Sequence, residues 1–416
     1  MRTVRRLQAD CAWLLYAIAE LSLAIIRKCL WPCKRPHEAQ RVCIYRIGNI
    51  GDVVCALPAI YAIRQAYPTA HLTLLTSPGR RGLPGAAELL QGAEWLDELF
   101  VYYLDDIATL RQRLKLVRRL RERAYDVWIE LSPQEVANIG TVMRNMVAAR
   151  LAGAGWGYGW RLTAIRWAAK AQSEFLAFPN EVERLLAVVS GSGIPSRKVV
   201  FPLPLSDRNR RAVDDLLSGS GLTDRPLVAI APGAKRSTNR WPLDRFVAVA
   251  RHVASMGFGV VVMGGASDLD ICREVASAVG SSAAATAGQC TLLESAALLK
   301  RCRLLVCNDS GVQHLASAVG TPCLSIFSFR DFRGKWHPWG SRHTVVQKWV
   351  ECHTCLLDTC PHENLCMKLV EVGEVIALAD RKLAGTNSQF ETQSVDRSPS
   401  RGFSLSVSSP PNTSGR

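Results

Sequence analysis

Residues 41–76 read RVCIYRIGNIGDVVCALPAIYAIRQAYPTAHLTLLT. The run VCIYR (42–46) has the continuous apolar texture of a strand covered on both faces. A turn carrying Gly48 and Gly51 follows, and then an apolar stretch that predicts a helix from Asp52 or Val53 to Tyr67, closed by Pro68. HLTLLT (71–76) reads as the next strand. Strand, glycine turn, helix and strand in this order form the unit of a mainly parallel sheet clad in helices.

Outward from this unit the alternation continues. Residues 111–123 predict a helix, and YDVWIEL (125–131) a strand. The proline-bearing FPLPLSD (201–207) reads as a linker, after which a second series begins. Its strands are expected at 227–231, 258–263, 303–307 and, last, 323–327. Its helices are expected from Trp241-Pro242 to Met256, from Asp268 to Val279, from Thr291, where T-x-x-E forms a capping box, to Lys300, and from Asn308-Asp309-Ser310-Gly311 to Val319. The fold class is therefore α/β, as two separate series. The expected parts are an apolar, basic start (1–40), a first domain (41–205), a second (206–345), a cysteine segment with a helix (346–385) and a tail (386–416) too poor in aliphatic residues to fold.

The chain has 416 residues, with 51 Lys and Arg against 36 Asp and Glu, a net +15. Residues 1–50 and 111–123 each carry +6 of that surplus. Such an excess points to an anionic partner: nucleic acid, membrane or phosphorylated substrate. Neither basic segment sits beside a nucleic-acid module or stacking aromatics, so nucleic acid is set aside. Helical spacing in 111–123 would turn Leu110, Leu114, Val117 and Leu120 to the core, leaving the basic side solvated or facing an anionic surface.

Residues 12–26 (AWLLYAIAELSLAII) are apolar between Arg2, Arg5 and Arg6 on one side and Arg27 and Lys28 on the other. As a helix they span about 22 Å, short of a hydrocarbon core of about 30 Å, and Glu20 sits within them. Arg-Lys-Cys-Leu-Trp-Pro after the run does not fit a cleavage site. Interfacial attachment, with Trp13, Tyr16 and Trp31 as amphipathic anchors, leads over a helix packed on the protein and over a single span. The expected location is the cytoplasm, peripheral on a membrane surface.

Of 14 cysteines, ten are scattered, many in strand-like runs such as Cys43, Cys302, Cys307 and Cys323, and read as small core residues. Cys352, Cys355, Cys360 and Cys366 cluster, with His353 and His362 among them. Structural zinc, reduced packing thiols and a disulfide all remain open for these four.

Three turns carry the chemistry. Arg46-Ile47-Gly48-Asn49-Ile50-Gly51-Asp52 is neither GxGxxG nor a P-loop, which disfavours an NAD-linked dehydrogenase. Asp52 there either caps a helix or takes a proton from a hydroxyl. Lys235, Arg236, Ser237, Thr238, Asn239 and Arg240 precede Trp241-Pro242, as a diphosphate clamp or an exposed basic loop. Asp309, Ser310 and Gly311 open a helix whose N–H groups could cradle a phosphate, with His314 one turn in.

Together, RVCIYRIGNIGDVVCALPAIYAIRQAYPTAHLTLLT, the loop before NRWPLDRF, NDSGVQHLASAVGTP and ECHTCLLDTCPHENLCM resemble the signatures of glycosyltransferase family 9, the heptosyltransferases of lipopolysaccharide core assembly, across roughly residues 41–380. The resemblance implies a GT-B fold, two Rossmann-like domains facing each other across a cleft. The N-terminal one would receive the acceptor, beside Arg46, Gly48, Asn49 and Gly51. The C-terminal one would hold the donor, ADP-L-glycero-D-manno-heptose, through Ser237, Thr238, Asn239, Arg240, Asp268, Asp309, Ser310, Gly311 and His314. It implies metal-independent transfer with inversion, no required cofactor, Asp52 as general base and an anionic glycolipid acceptor, the lipopolysaccharide inner core, met at the cytoplasmic face of the inner membrane. The chain departs from the pattern at Asn239, where many members carry Lys. Another nucleotide sugar, or a non-enzymatic membrane-associated binding protein of the same fold, are the alternatives. The sequence does not set the oligomeric state.

Overall fold

The structure is a computed structural model and describes residues 2–132, 139–161, 178–195 and 198–385. The tail expected over 386–416 lies outside the described residues, as do the side chains of Arg2, Arg5, Arg6 and Trp13.

Two parallel sheets form the body. The first contains β1 (Arg41–Tyr45), β2 (His71–Thr76), β3 (Glu98–Val101), β4 (Val127–Glu130) and β5 (Trp156–Tyr158), in the order β3-β2-β1-β4-β5. The second contains β6 (Leu227–Ala231), β7 (Gly259–Val262), β8 (Ala283–Ala285), β9 (Cys302–Asn308), β10 (Cys323–Phe327) and β11 (Thr344–Gln347), in the order β11-β10-β9-β6-β7-β8. Every pairing is parallel, with Tyr45 opposite Leu75 and Glu130, and Ala229 opposite Val261 and Leu305. Parallel strands need crossovers and both faces covered, which is why VCIY and LVAIA are buried throughout.

The helices of the first half are α1 (Arg2–Leu30), α2 (Ile50–Ala66), the short α3 (Ala86–Leu89), α4 (Leu110–Arg121), α5 (Ile139–Leu151) and α6 (Glu181–Gly191). Those of the second are α7 (Asp207–Gly219), which packs on α10, α8 (Leu243–Ser255), α9 (Leu269–Val279), α10 (Leu292–Arg301), α11 (Gly311–Ala318) and α12 (Val372–Gly385), with a single turn at Leu365–Lys368. α2 is apolar almost all round, as a helix enclosed by neighbours must be. The capping box at α10 forms as expected: the Thr291 N–H donates to Glu294 Oε2 at 2.8 Å and the Glu294 N–H to Thr291 Oγ1 at 3.2 Å. α12 packs into the second domain's core through Val375, Ala379 and Leu383. The sheets gain strands that the sequence reading lacked, β11 among them, so 323–327 is not the last.

Two expectations need correction. Leu110 and Leu114 are exposed; only the C-terminal half of α4 meets the sheet, where Leu120 is buried and Arg119 and Arg123 lie over the Phe100 ring. Tyr16 and Trp31 face the protein, not a lipid. Trp31 stacks on Trp160 at 4.8 Å between centroids and donates Nε1–H to the Ala154 carbonyl at 2.8 Å. With Leu23 buried and Arg27 over Tyr158, this fixes α1 to the first domain. Among the described residues no helix is long and apolar enough to cross a membrane.

Candidate active site between the domains

The C-terminal end of β1 runs into a turn at which Gly48 has φ of +140°, a conformation that favours glycine. A Cβ there would lie 2.4 Å from that of Asp52, so Gly48 leaves the room into which the Asp52 side chain folds back. Asn49, not Asp52, is the N-cap of α2. Asp52 sits in the first turn, three residues on, and its Oδ2 accepts the Asn49 N–H at 3.0 Å. The cap reading and the cleft reading thus meet in one side chain.

Asp52 belongs to a buried ionic group. The Arg46 guanidinium donates through Nη2 to Asp52 Oδ1 (3.3 Å), through Nε to the Asp52 carbonyl (3.1 Å), and through Nη1 to the Leu131 carbonyl (2.9 Å) and Glu181 Oε1 (3.2 Å). Arg184 grips Glu181 from the other side with two bonds of 2.7 Å. Burial works against the Glu181 charge, yet Arg184, Arg46 and Lys335 outweigh it and hold the carboxyl below its usual range. Burial pushes the Asp52 carboxyl up, against the pull of Arg46, the Asn49 N–H and Lys335. Asp52 is therefore a stronger base than an exposed aspartate, and its side chain is one-fifth exposed. Arg46, expected on the acceptor side, is fully buried, so it acts through Asp52 and Glu181.

The second domain supplies the opposite wall. Asn308, at the end of β9, accepts the Trp241 N–H at 3.0 Å and donates to the Pro232 carbonyl at 2.7 Å, tying the β6 and β9 ends together. Asp309 accepts from Asn239 Nδ2 and Gln313 Nε2, each at 3.1 Å. Ser310 is the N-cap of α11, and its buried hydroxyl has no hydrogen-bond partner among the described residues. The N-termini of α2 and α11 meet here: a Cβ on Gly311 would lie 3.4 Å from Ile50, and one on Gly51 would lie 2.9 Å from the His314 ring. The two helix ends are in contact, and their combined positive ends favour an anion bound beside them. His314 Nδ1 lies 3.4 Å from Cys55 Sγ, and burial pulls the ring down to about 4, so it is neutral at neutral pH.

Residues 332–337 close one end of the cleft. The Glu181 N–H donates to the Lys335 carbonyl at 2.9 Å, and Phe178 N–H to the Arg333 carbonyl at 3.0 Å. Lys335 is buried, with Nζ 3.6 Å from Asp331 and over the Trp336 ring at 4.8 Å.

The basic loop behaves differently from the diphosphate clamp read in the sequence. The Ser237 and Thr238 hydroxyls donate to the Asp358 and Leu357 carbonyls, and Arg236 pairs with Asp358 at 2.8 Å, so the cysteine segment draws these side chains to itself. Lys235 is exposed. Arg240 lines a groove of about 280 Å³ with Trp241, Ile271 and Lys368. Only Asn239 turns to the α11 end, where it also accepts from Ser328 Oγ at 2.7 Å. Asp268, half-buried, accepts the Gly265 N–H at 3.1 Å and overlies Gly233 at the strand ends. Cys352, Cys355, Cys360 and Cys366 line one small cavity, with no disulfide among them. Among the described residues no group of three or more His, Cys, Asp or Glu is arranged to hold a metal ion. The sequence reading missed Glu181, Arg184 and Lys335. The one signal for Lys335 was its place in a polar, aromatic loop after a strand end.

Comparison with known proteins bears on the family and the fold. The family described as glycosyltransferase family 9 (heptosyltransferase) matches residues 113–366. Lipopolysaccharide heptosyltransferase 2 of Salmonella typhimurium is 26% identical over 297 residues, covering 67% of this chain and 80% of that one. Lipopolysaccharide heptosyltransferase 3 of Escherichia coli is 24% identical over 347 residues, 81% of this chain and 98% of that one. Among solved structures, a family 9 glycosyl transferase from Veillonella parvula superposes with a TM-score of 0.67 at 20% identity, over 83% of this chain and 98% of that one. The Escherichia coli ADP-heptose lipopolysaccharide heptosyltransferase II gives 0.62 at 20% identity, over 84% and 100%. The two facing sheets are those of the GT-B fold. The chain belongs to glycosyltransferase family 9, the heptosyltransferase family.

Proposed function

We propose that this glycosyltransferase moves heptose from ADP-heptose to the inner core of lipopolysaccharide, without a metal and with inversion at the anomeric carbon. The observation that carries this is the placement of the Asp52 carboxylate where the α2 and α11 N-termini meet across the cleft. An acceptor hydroxyl would give its proton to Asp52 as its oxygen bonds to the anomeric carbon. The bond from that carbon to the β-phosphate oxygen breaks on the far side, and ADP leaves with the electron pair. The charge growing on ADP would be met by the α11 N–H groups and by Lys335, whose charge is felt at both Asp52 and Glu181. Asp268, at the strand ends, would accept from the ribose hydroxyls.

Asn239 favours a second reading. It is a neutral amide held between Asp309 and Ser328, where the resemblance expects a cation, so a different nucleotide sugar is the alternative donor. Thermal shifts separate the two. ADP and ADP-heptose should raise the melting temperature while UDP- and GDP-sugars do not; a response confined to another nucleotide would reject the heptose donor.

A further inference from the structure

One face of the first sheet is covered by α4, α5 and α1 side by side, α4 packing on α5 and α5 on α1. α1 carries two apolar stripes. Tyr16, Ala19, Leu23, Ile26 and Leu30, spaced by threes and fours, pack on the protein. Leu14, Ile18, Leu21 and Ile25, with the same spacing, lie on the opposite side and are each more than half exposed. α5 buries Val142, Met146 and Ala149 and exposes Ile139, Met143, Val147 and Leu151 at every fourth position. α4 adds Leu110 and Leu114. Of the 19 large apolar side chains exposed among the described residues, 12 stand on these three helices, so this is one patch and not a scatter.

The charge on the patch chooses its partner. α4 exposes Arg111, Lys115, Arg118 and Arg121, α5 exposes Arg144 and Arg150, and the only acids within the three helices are Asp10 and Glu20, both on α1. A second copy docked through this face would set cations against cations. An anionic bilayer offers acyl chains to the apolar stripes and phosphates to the arginines.

We propose that the α1–α4–α5 face docks this enzyme on an anionic phospholipid bilayer, lying in the headgroup region without crossing it. Because Trp31 and Leu23 pin α1 to the first domain, α1 is part of a rigid surface and not a tether. The docking does not depend on which sugar the cleft transfers.

The test is co-sedimentation of the full chain with vesicles of phosphatidylcholine mixed with phosphatidylglycerol, against phosphatidylcholine alone. The expected result is at least about tenfold tighter binding to the mixed vesicles, weakened at ~0.5 M salt. Met143→Glu with Val147→Glu should cut binding about tenfold. Arg111→Gln with Lys115→Gln and Arg118→Gln should remove the preference for phosphatidylglycerol. Both variants change exposed residues of the first domain, outside the second domain that would hold the donor, and should keep the wild-type thermal shift with ADP, which shows that they fold. Equal recovery on both vesicle types, or apolar variants that bind as wild type does, would overturn the proposal. So would a dimer by light scattering that the same substitutions split, with no vesicle binding.

Discussion

Arg46→Met tests the ionic group behind the cleft. Fully buried, Arg46 supplies four hydrogen bonds, two of them to Asp52, one to Glu181 and one to the Leu131 carbonyl. Removing one partner from a buried ionic group costs about 3–5 kcal/mol, because the charges left behind stay buried. Glu181 keeps both bonds from Arg184, which puts the expected loss near the lower end, about 3 kcal/mol. For a domain of this size, each kcal/mol is worth about 2–4 °C, so the first domain should melt ~6–12 °C lower. Asp52 responds as well. Arg46 pulls its carboxyl down against burial, so without Arg46 the carboxyl rises further. A base must be ionised, so the acid limb of the pH–rate profile should move to higher pH. Arg46→Lys keeps the charge but not the planar fork; it should show most of that drop in melting temperature and a smaller pH displacement. Thermal melts and pH–rate profiles of the three proteins read both effects. A melting temperature within about 2 °C of wild type, with the acid limb unmoved, would refute the reasoning.

Asp52→Asn should fold with a lowered melting temperature, since the single amide oxygen can accept the Asn49 N–H or Arg46 Nη2 but not both, while turnover drops by at least about a hundredfold; turnover near wild type in the folded variant would remove Asp52 as the base. Glu130, buried at the end of β4 and held by Ser132 and Asn145, is pushed up by burial to about 7 from a usual 4.5. The folded chain therefore keeps a proton that the unfolded chain loses between those values, and stability falls as pH rises through that window, by about 3 kcal/mol in all. Melting curves of Glu130→Gln should be flatter than wild type between ~pH 5 and 7; parallel curves would contradict this. Trp31→Ala loses the stack on Trp160 and the bond to Ala154, so proteolysis within residues 1–40 should speed up while ADP binding stays; unchanged cleavage would mean that α1 is held elsewhere.

The first β-α-β unit and the turn at Asn308-Asp309-Ser310-Gly311 were legible because each is local: an apolar run, a polar or glycine turn and a helix start lie within a dozen or so residues. β3, β5 and β8 were not, being three or four residues long and defined by partners distant in sequence. Leu110 and Leu114 have helical spacing, but spacing names a face without saying what covers it. Ser237 and Thr238 looked like ligand contacts because their partners, Asp358 and Leu357, lie about 120 residues on. Glu181 meets Arg46 within the first domain but 135 residues on, and Lys335 reaches the same group from the second domain, so no motif around Asp52 marks either.

The most direct test of heptose transfer with Asp52 as base is mass spectrometry of a heptose-deficient lipopolysaccharide incubated with ADP-heptose and this enzyme in the presence of EDTA. The acceptor should gain one heptose residue with wild-type protein and none with Asp52→Asn. An acceptor left unmodified by wild-type protein that binds ADP-heptose, or one extended equally well by the variant, would contradict it.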